Sequence, residues 1–123
     1  MELSKLELIE QKYPKIFNPP GWNDMPDGWI PILDRLCEKL QQSSDSCGHQ
    51  VVCTQTKEKW GGFRFYTQSC TDEQYKIIDD AEKEANKTCQ SCGSKNEVAI
   101  HRKHNWVSCL CIACREKSDI DKS

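Results

Sequence analysis

The spacing of apolar and polar residues changes period several times along this chain, and each change marks an element. Ser4 and Glu7 have the spacing of a capping box, with Leu3 and Leu8 at the flanking staple positions, which predicts a first helix from about Ser4. Pro14 disfavours helix in the residue before it, so that helix ends near Tyr13. Asn18-Pro19-Pro20-Gly21-Trp22-Asn23-Asp24 reads as an irregular connection. A second helix opens near Asp27-Gly28 with Pro31 in its first turn. Trp29, Ile32, Leu33, Leu36, Cys37 and Leu40 then recur at helical spacing and form the clearest amphipathic stripe in the chain. The polar, turn-rich run Gln41 to Gly48 reads as a loop.

Beyond it the period drops to two. Gln50 to Thr56 and Phe63-Arg64-Phe65-Tyr66 alternate as strands do, with Gly61-Gly62 at the position of a two-residue hairpin turn. That turn sets Trp60 opposite Phe63, Lys59 opposite Arg64, Glu58 opposite Phe65 and Lys57 opposite Tyr66. One face then presents Lys57, Lys59, Arg64 and Tyr66, whose like charges invite an acidic or phosphate-bearing partner unless they are simply a solvated face. The other face groups Trp60, Phe63 and Phe65 for the core beside Glu58, a carboxylate that needs either a cation or a bulge. Thr71 and Gln74 form a second capping box, opening a third helix to about Lys87 with Ile78, Ala81 and Ala85 on a narrow apolar stripe.

Composition changes the picture in one respect. Only 37% of the 123 residues are hydrophobic, yet nine are cysteine, and the net charge is −2. The core is lean, and the size suits one domain with a small appendage. No apolar run approaches the roughly 20 residues that span a bilayer, and the N-terminus alternates charge with leucine, so a soluble cytoplasmic protein without a membrane partner is expected. An odd number of cysteines in that setting reads as reduced thiols plus a metal site. Near-neutral charge argues against a protein that coats nucleic acid, although the charge is split: residues 1–85 are acidic and residues 86–117 basic.

The metal signal is specific. Cys89-Gln90-Ser91-Cys92-Gly93 and Cys111-Ile112-Ala113-Cys114 are two C-x2-C pairs at the spacing of a four-cysteine zinc site, with Gly93 supplying the backbone freedom of a knuckle. Glu97-Val98-Ala99-Ile100 and Trp106-Val107-Ser108 read as a second hairpin, and a short helix follows from Cys111–Cys114. Knuckle, hairpin and helix describe a treble-clef-like module. Cys109 competes with Cys111, but only Cys111 gives a second x2 spacing; His101 and His104 are alternative ligands of lower rank. Four thiolates leave no open position for water, so one structural Zn²⁺ per chain is expected, and its binding free energy supports folding of a lean chain. The fold class is therefore α+β: a core over 1–87 with two helices, a hairpin and a helix, a zinc module over 88–117, and a flexible tail over 118–123.

No nucleophile elbow, phosphate loop or H-E-x-x-H is present, and Cys37, Cys47, Cys53 and Cys70 lack a nucleophile's context. Cys37 and Cys53 read as small buried residues.

Asp27-Gly28-Trp29 before Leu33-x-x-Leu36-Cys37, Thr56-Lys57-Glu58-Lys59-Trp60-Gly61-Gly62-Phe63-Arg64-Phe65-Tyr66, Ala81-Glu82, Thr88-Cys89-x-x-Cys92-Gly93, and Trp106 before Leu110-Cys111-x-x-Cys114 occur in that order. The order resembles a family of small phage, prophage and bacterial proteins with a Lys-Glu-Lys-Phe-Gly-Gly hairpin and a C-terminal zinc motif. Trp60 and Phe63 stand where that pattern has phenylalanine and leucine, and Cys109 falls at a non-ligand position. The resemblance implies a phage or mobile-element setting, in the host cytoplasm, and supplies no mechanism. The leading expectation is a zinc-stabilised accessory protein that docks on a host protein, such as a defence or transcription component. The alternative is nucleic-acid binding through Lys95, Arg102, Lys103, Arg115 and Lys117 with Trp106 stacking, together with Lys57, Lys59 and Arg64. An enzyme acting on a phosphorylated or nucleotide ligand at the Lys57–Arg64 face is a minor third reading.

Overall fold

The computed structural model describes residues 3–18 and 23–120, so positions 19–22 of the expected connection and 121–123 of the expected tail lie outside the described residues. The fold is α+β. In chain order it comprises helix α1 (Lys5–Lys12), a 3₁₀ turn (Asp27–Trp29) leading into α2 (Ile30–Cys47), strands β1 (Cys53–Lys59) and β2 (Gly62–Thr67), α3 (Asp72–Asn86), strands β3 (Ala99–Lys103) and β4 (Trp106–Leu110), and α4 (Ile112–Ile120). The strands form two separate antiparallel pairs, β1 with β2 and β3 with β4. No described helix is long and apolar enough to cross a membrane.

Both capping boxes form. Ser4 Oγ accepts from the Glu7 N–H while Glu7 accepts from the Ser4 N–H, and Thr71 and Gln74 exchange the same pair of bonds at α3. Leu3 and Leu8 are both exposed. The expected loop Gln41 to Gly48 is instead the last part of α2. Ser44 is buried on its inner side and accepts from the Val51 N–H at 3.0 Å, and Gly48 ends the helix in the left-handed region at φ 81°. A helix needs only about one inward position per turn, and the small, hydrogen-bonded Ser44 fills it, so this polar run still extends the helix.

The core lies between α2, α3 and the inner face of β1–β2. Trp29, Leu33, Leu36, Cys37, Leu40 and Phe63 are buried there, with the Trp29 and Phe63 rings edge to face at 5.8 Å. Burial of each large apolar side chain contributes about 1.5–3 kcal/mol, which concentrates the stability of this lean chain in few residues. Ile78, Ala81 and Ala85 of α3 are buried as their spacing predicts, and so are Cys37 and Cys53.

The first hairpin turns one residue earlier than expected. Trp60 and Gly61 occupy the turn at φ 56° and 77°, the backbone of a type I′ connection, and Lys59 pairs with Gly62, Glu58 with Phe63, Lys57 with Arg64, Thr56 with Phe65 and Gln55 with Tyr66. This register differs by two from the expected one, so each residue keeps its face while its partner changes. Phe63 and Phe65 remain buried, but Trp60 leaves the core and is 65% exposed. The physical reason is local: the Glu58 carboxylate accepts the Gly61 N–H at 2.7 Å and fixes the tip, which is also how Glu58 is accommodated. The pairing irregularity lies elsewhere in the hairpin, between Cys53 and Gln55, and β1 starts at Cys53 instead of Gln50.

The second hairpin also sits further along than expected, with β3 beginning at Ala99 and a turn through His104 at φ 57°. Glu97, expected in a strand, precedes it at φ 46°. Helix α4 continues to Ile120, past the expected start of the tail at 118.

Candidate metal centre

Cys89, Cys92, Cys111 and Cys114 come together with all four sulfurs within 4.8 Å of one another, close enough to hold a metal ion. Cys92 Sγ and Cys111 Sγ are 3.6 Å apart. Tetrahedral Zn–S bonds of about 2.3 Å would set sulfurs about 3.8 Å apart, so the spacing fits such an ion. The first pair is held by a tight turn: the Gly93 N–H donates to the Cys89 carbonyl at 2.9 Å, the Cys89 N–H donates to the Ser94 carbonyl at 2.8 Å, and Gly93 takes φ 84°, where a side chain would be strained. The second pair opens α4. Cys111 immediately precedes its first residue and Cys114 lies in its first turn, where the helix dipole favours thiolates.

Electrostatics prepare one sulfur in advance. Burial opposes ionisation of Cys89, but the backbone N–H groups of Cys111, Cys92 and Ser91 outweigh it and bring its pKa down to about 7. Cys114 is pushed up to about 12 by burial and by the neighbouring thiols, and Cys92 is raised because burial and adjacent thiols overcome the favourable Ser94 N–H. The metal-free cluster therefore resists ionising all its sulfurs together, and a bound cation reverses that.

Cys109 points away from the cluster. Its sulfur lies 3.5–3.7 Å from the carbonyls of Ala85, Asn86 and Thr88 in the buried seam behind α3, which accounts for the choice of Cys111 in the second pair. Neither His101 nor His104 belongs to the cluster.

The residues that build the floor of the site include several that spacing alone does not reveal. Gly28 donates its N–H to the Gln90 carbonyl at 2.9 Å, and the neighbouring Trp29 indole donates to the Thr88 carbonyl at 2.8 Å. Gln90 bridges the knuckle to β4 with its N–H on the Cys109 carbonyl and its side-chain oxygen on the Cys109 N–H. Gly61 brings the tip of the first hairpin against Ile100, Ser108 and Cys109, where a Cβ would meet the Ile100 methyl at 2.8 Å. Asp27-Gly28-Trp29 and the Trp60-Gly61 turn thus both close on the metal-bearing segment. A glycine beside a tryptophan was the available signal at both places, and it read as a helix start at Gly28 and as a hairpin turn at Gly61.

The candidate basic residues divide. Lys95 pairs with Glu84 at 3.4 Å and donates to Thr88 Oγ1 at 3.0 Å. Lys103 donates to the Ser118 carbonyl, and Arg115 donates to the carbonyls of Glu97 and Leu110 at 2.6 and 2.8 Å. Lys57 lies 5.9 Å from the centre of the Tyr66 ring, directly across the ladder from Arg64. Lys59, Arg102 and Lys117 are exposed.

Trp106 is 72% exposed at the tip of the second hairpin, and with Trp60 it borders an open cleft of about 280 Å³ completed by Glu58, Asn105 and Val107. A second hollow of about 370 Å³ lies on the far side of Trp106 against His101, Lys103 and Ser118. No family model, curated protein or solved structure matches the chain.

Proposed function

We propose that the four thiolates hold one structural zinc ion in a treble-clef-like module, and that the protein is a small binding protein which docks on a host protein as a phage or mobile-element accessory factor. Zinc is supported by the donor set: four soft thiolates at tetrahedral spacing select zinc or iron, and a closed site of this kind suits a structural ion. The phage setting is supported by the order of motifs in the sequence.

The observation that carries the docking reading is the placement of Trp60 and Trp106, two indoles more than half exposed on neighbouring hairpin tips. Exposed tryptophans of this kind are typical anchors of protein interfaces. A protein partner is favoured over nucleic acid because Lys95, Lys103 and Arg115 are already bonded within the fold. Native mass spectrometry should find one zinc per chain. Tagged protein should retain a stoichiometric, nuclease-resistant partner from bacterial lysate and lose it in a Trp60→Asn/Trp106→Ala variant. Capture that survives both substitutions, or that disappears with nuclease and rising salt, would count against this function.

A further inference from the structure

Among the described residues, Glu58 is the one ionisable side chain lining the cleft between Trp60 and Trp106. Its sequence neighbours Lys57 and Lys59 project from the other face of the β1–β2 ladder, as alternation requires. The Gly61 N–H bond at 2.7 Å orients the carboxylate and uses one of its roughly four acceptor positions, leaving charge and bonding capacity for a ligand. The rest of the lining is two indoles, the Val107 side chain and the Asn105 amide. Indole faces carry negative potential, so this is a lining matched to a positive charge with a greasy stem.

The backbone adds a second observation. Trp60 sits at φ 56°, the first turn position of a type I′ hairpin, where Asn is preferred and a bulky residue is strained. A strained residue with an exposed indole has no packing reason to be there, and strain of this kind marks functional positions.

We infer that the cleft receives a lysine-type ammonium, methylated or not, from the partner protein, seated between Trp60 and Trp106 and balanced by Glu58; this rests on the docking reading above. Arg102 is an exposed cation opposite Val107 on β3, on the face of the second hairpin that borders the cleft. It opposes an incoming ammonium and would attract a phosphate, which makes it the residue that separates the two ligand chemistries.

The test uses the purified full chain and follows the indole N–H signals of Trp60 and Trp106 by NMR. The probes are N-acetyl-trimethyllysine methylamide, N-acetyl-lysine methylamide, the uncharged isostere with a tert-butyl group in place of trimethylammonium, and a dT12 oligonucleotide. The ammonium probes should shift both indoles at millimolar concentration and bind about fivefold or more tighter than the neutral isostere. Glu58→Gln keeps an oxygen for the Gly61 N–H, so the turn persists while the charge goes; affinity should fall by about fivefold. Arg102→Ala should tighten binding by about twofold. Equal binding of the neutral isostere would overturn the inference, as would dT12 shifting the indoles with Arg102→Ala weakening it. If no ammonium probe binds while Trp60→Asn/Trp106→Ala still abolishes partner capture, the occupant is wrong and the docking function stands. If ammonium binds but capture survives those substitutions, the docking function falls and the cleft chemistry remains.

Discussion

Gly28 lies so close to the first metal knuckle that a Cβ on it would come within 2.3 Å of the Cys89 carbonyl oxygen and 2.6 Å of the Gln90 carbonyl. Both obstacles are backbone, so neither can swing aside. Gly28→Ala must therefore break the Gly28 N–H bond to Gln90 or push the knuckle away from the Asp27–Trp29 turn. The expected cost is at the upper end of overpacking changes, about 3 kcal/mol, with weakened metal retention. Gly48→Ala is the control: it has nothing within 4 Å of a Cβ, and only its left-handed backbone opposes the substitution, for about 1 kcal/mol. Denaturation midpoints with metal analysis on both variants measure the difference; equal losses would show that the contact with the knuckle does not matter.

The two cysteines flanking Leu110 should behave in opposite ways. Cys111→Ser removes one of the four proposed ligands, and the chain should lose metal and unfold its C-terminal segment, because the binding free energy of the ion supports the folding of that segment. Cys109→Ala leaves the cluster intact and removes only packing and weak sulfur contacts to the Ala85, Asn86 and Thr88 carbonyls, for about 1–2 kcal/mol, with full metal content. Metal-to-protein ratios of the two variants decide the ligand set.

How much of this was legible in the sequence follows from the range of the interactions involved. The capping boxes at Ser4 and Thr71, the α2 stripe and the two C-x2-C pairs depend on residues a few positions apart, and the spacing shows them directly. The last turns of α2 were missed because Ser44, a polar residue, takes the inward position and closes the helix onto Val51 through its hydroxyl. The hairpin register was missed because two candidate turns overlap in Trp60-Gly61-Gly62, and the bond from Gly61 to Glu58 decides between them. The exposure of Trp60 followed from that error. Which cations are engaged within the fold was not legible either: the partners of Arg115, the Glu97 and Leu110 carbonyls, are set by tertiary placement that charge counting does not register.

Acid should weaken the anchorage of α1. Tyr13 Oη donates to Asp34 Oδ1 at 2.8 Å and Lys12 donates to the same carboxylate at 3.1 Å. Burial raises the Asp34 pKa, but these two bonds outweigh it and hold it below the ordinary carboxylate value. A depressed folded pKa contributes stability above the unfolded value, near 3.9, that is lost as pH falls through the folded one. With Asp34 partly exposed, that contribution is about 1 kcal/mol after solvent screening. Burial and the bond to Asp34 raise the Tyr13 pKa, so its share is present below about pH 10 and is lost as pH rises beyond it. Asp34→Asn should flatten the stability profile below about pH 4 relative to the parent chain; an unchanged acid limb would assign that limb to other carboxylates.

Arg115 should prove to be a structural residue. Its guanidinium joins the Glu97 carbonyl, before β3, to the Leu110 carbonyl at the end of β4, just ahead of α4. Charged donors to backbone carbonyls contribute about 1.5–3 kcal/mol, so Arg115→Ala should destabilise by about 2 kcal/mol and speed metal loss to a chelator. One guanidinium NH2 group makes both bonds, and an ammonium on a shorter stem does not reach the same place with the same planar geometry, so Arg115→Lys should recover only part. Partner capture measured well below the melting temperature should be unchanged; a selective loss of capture at full stability would return Arg115 to the binding surface.

Trp60 offers the clearest separation of stability from binding. Its left-handed backbone at φ 56° precedes Gly61 at φ 77°, and Asn-Gly is the sequence such a turn favours. The indole contributes little burial to offset the strain, since it is 65% exposed. Trp60→Asn should therefore leave stability unchanged or raise it by up to about 1 kcal/mol, about 4 °C in Tm. The same substitution removes one wall of the cleft and should abolish partner capture. Thermal melts and capture on the one variant settle the question together. A fall of several degrees in Tm would mean that the indole packs for stability, and a stable variant that still captures its partner would mean that the hairpin tip is not the docking surface.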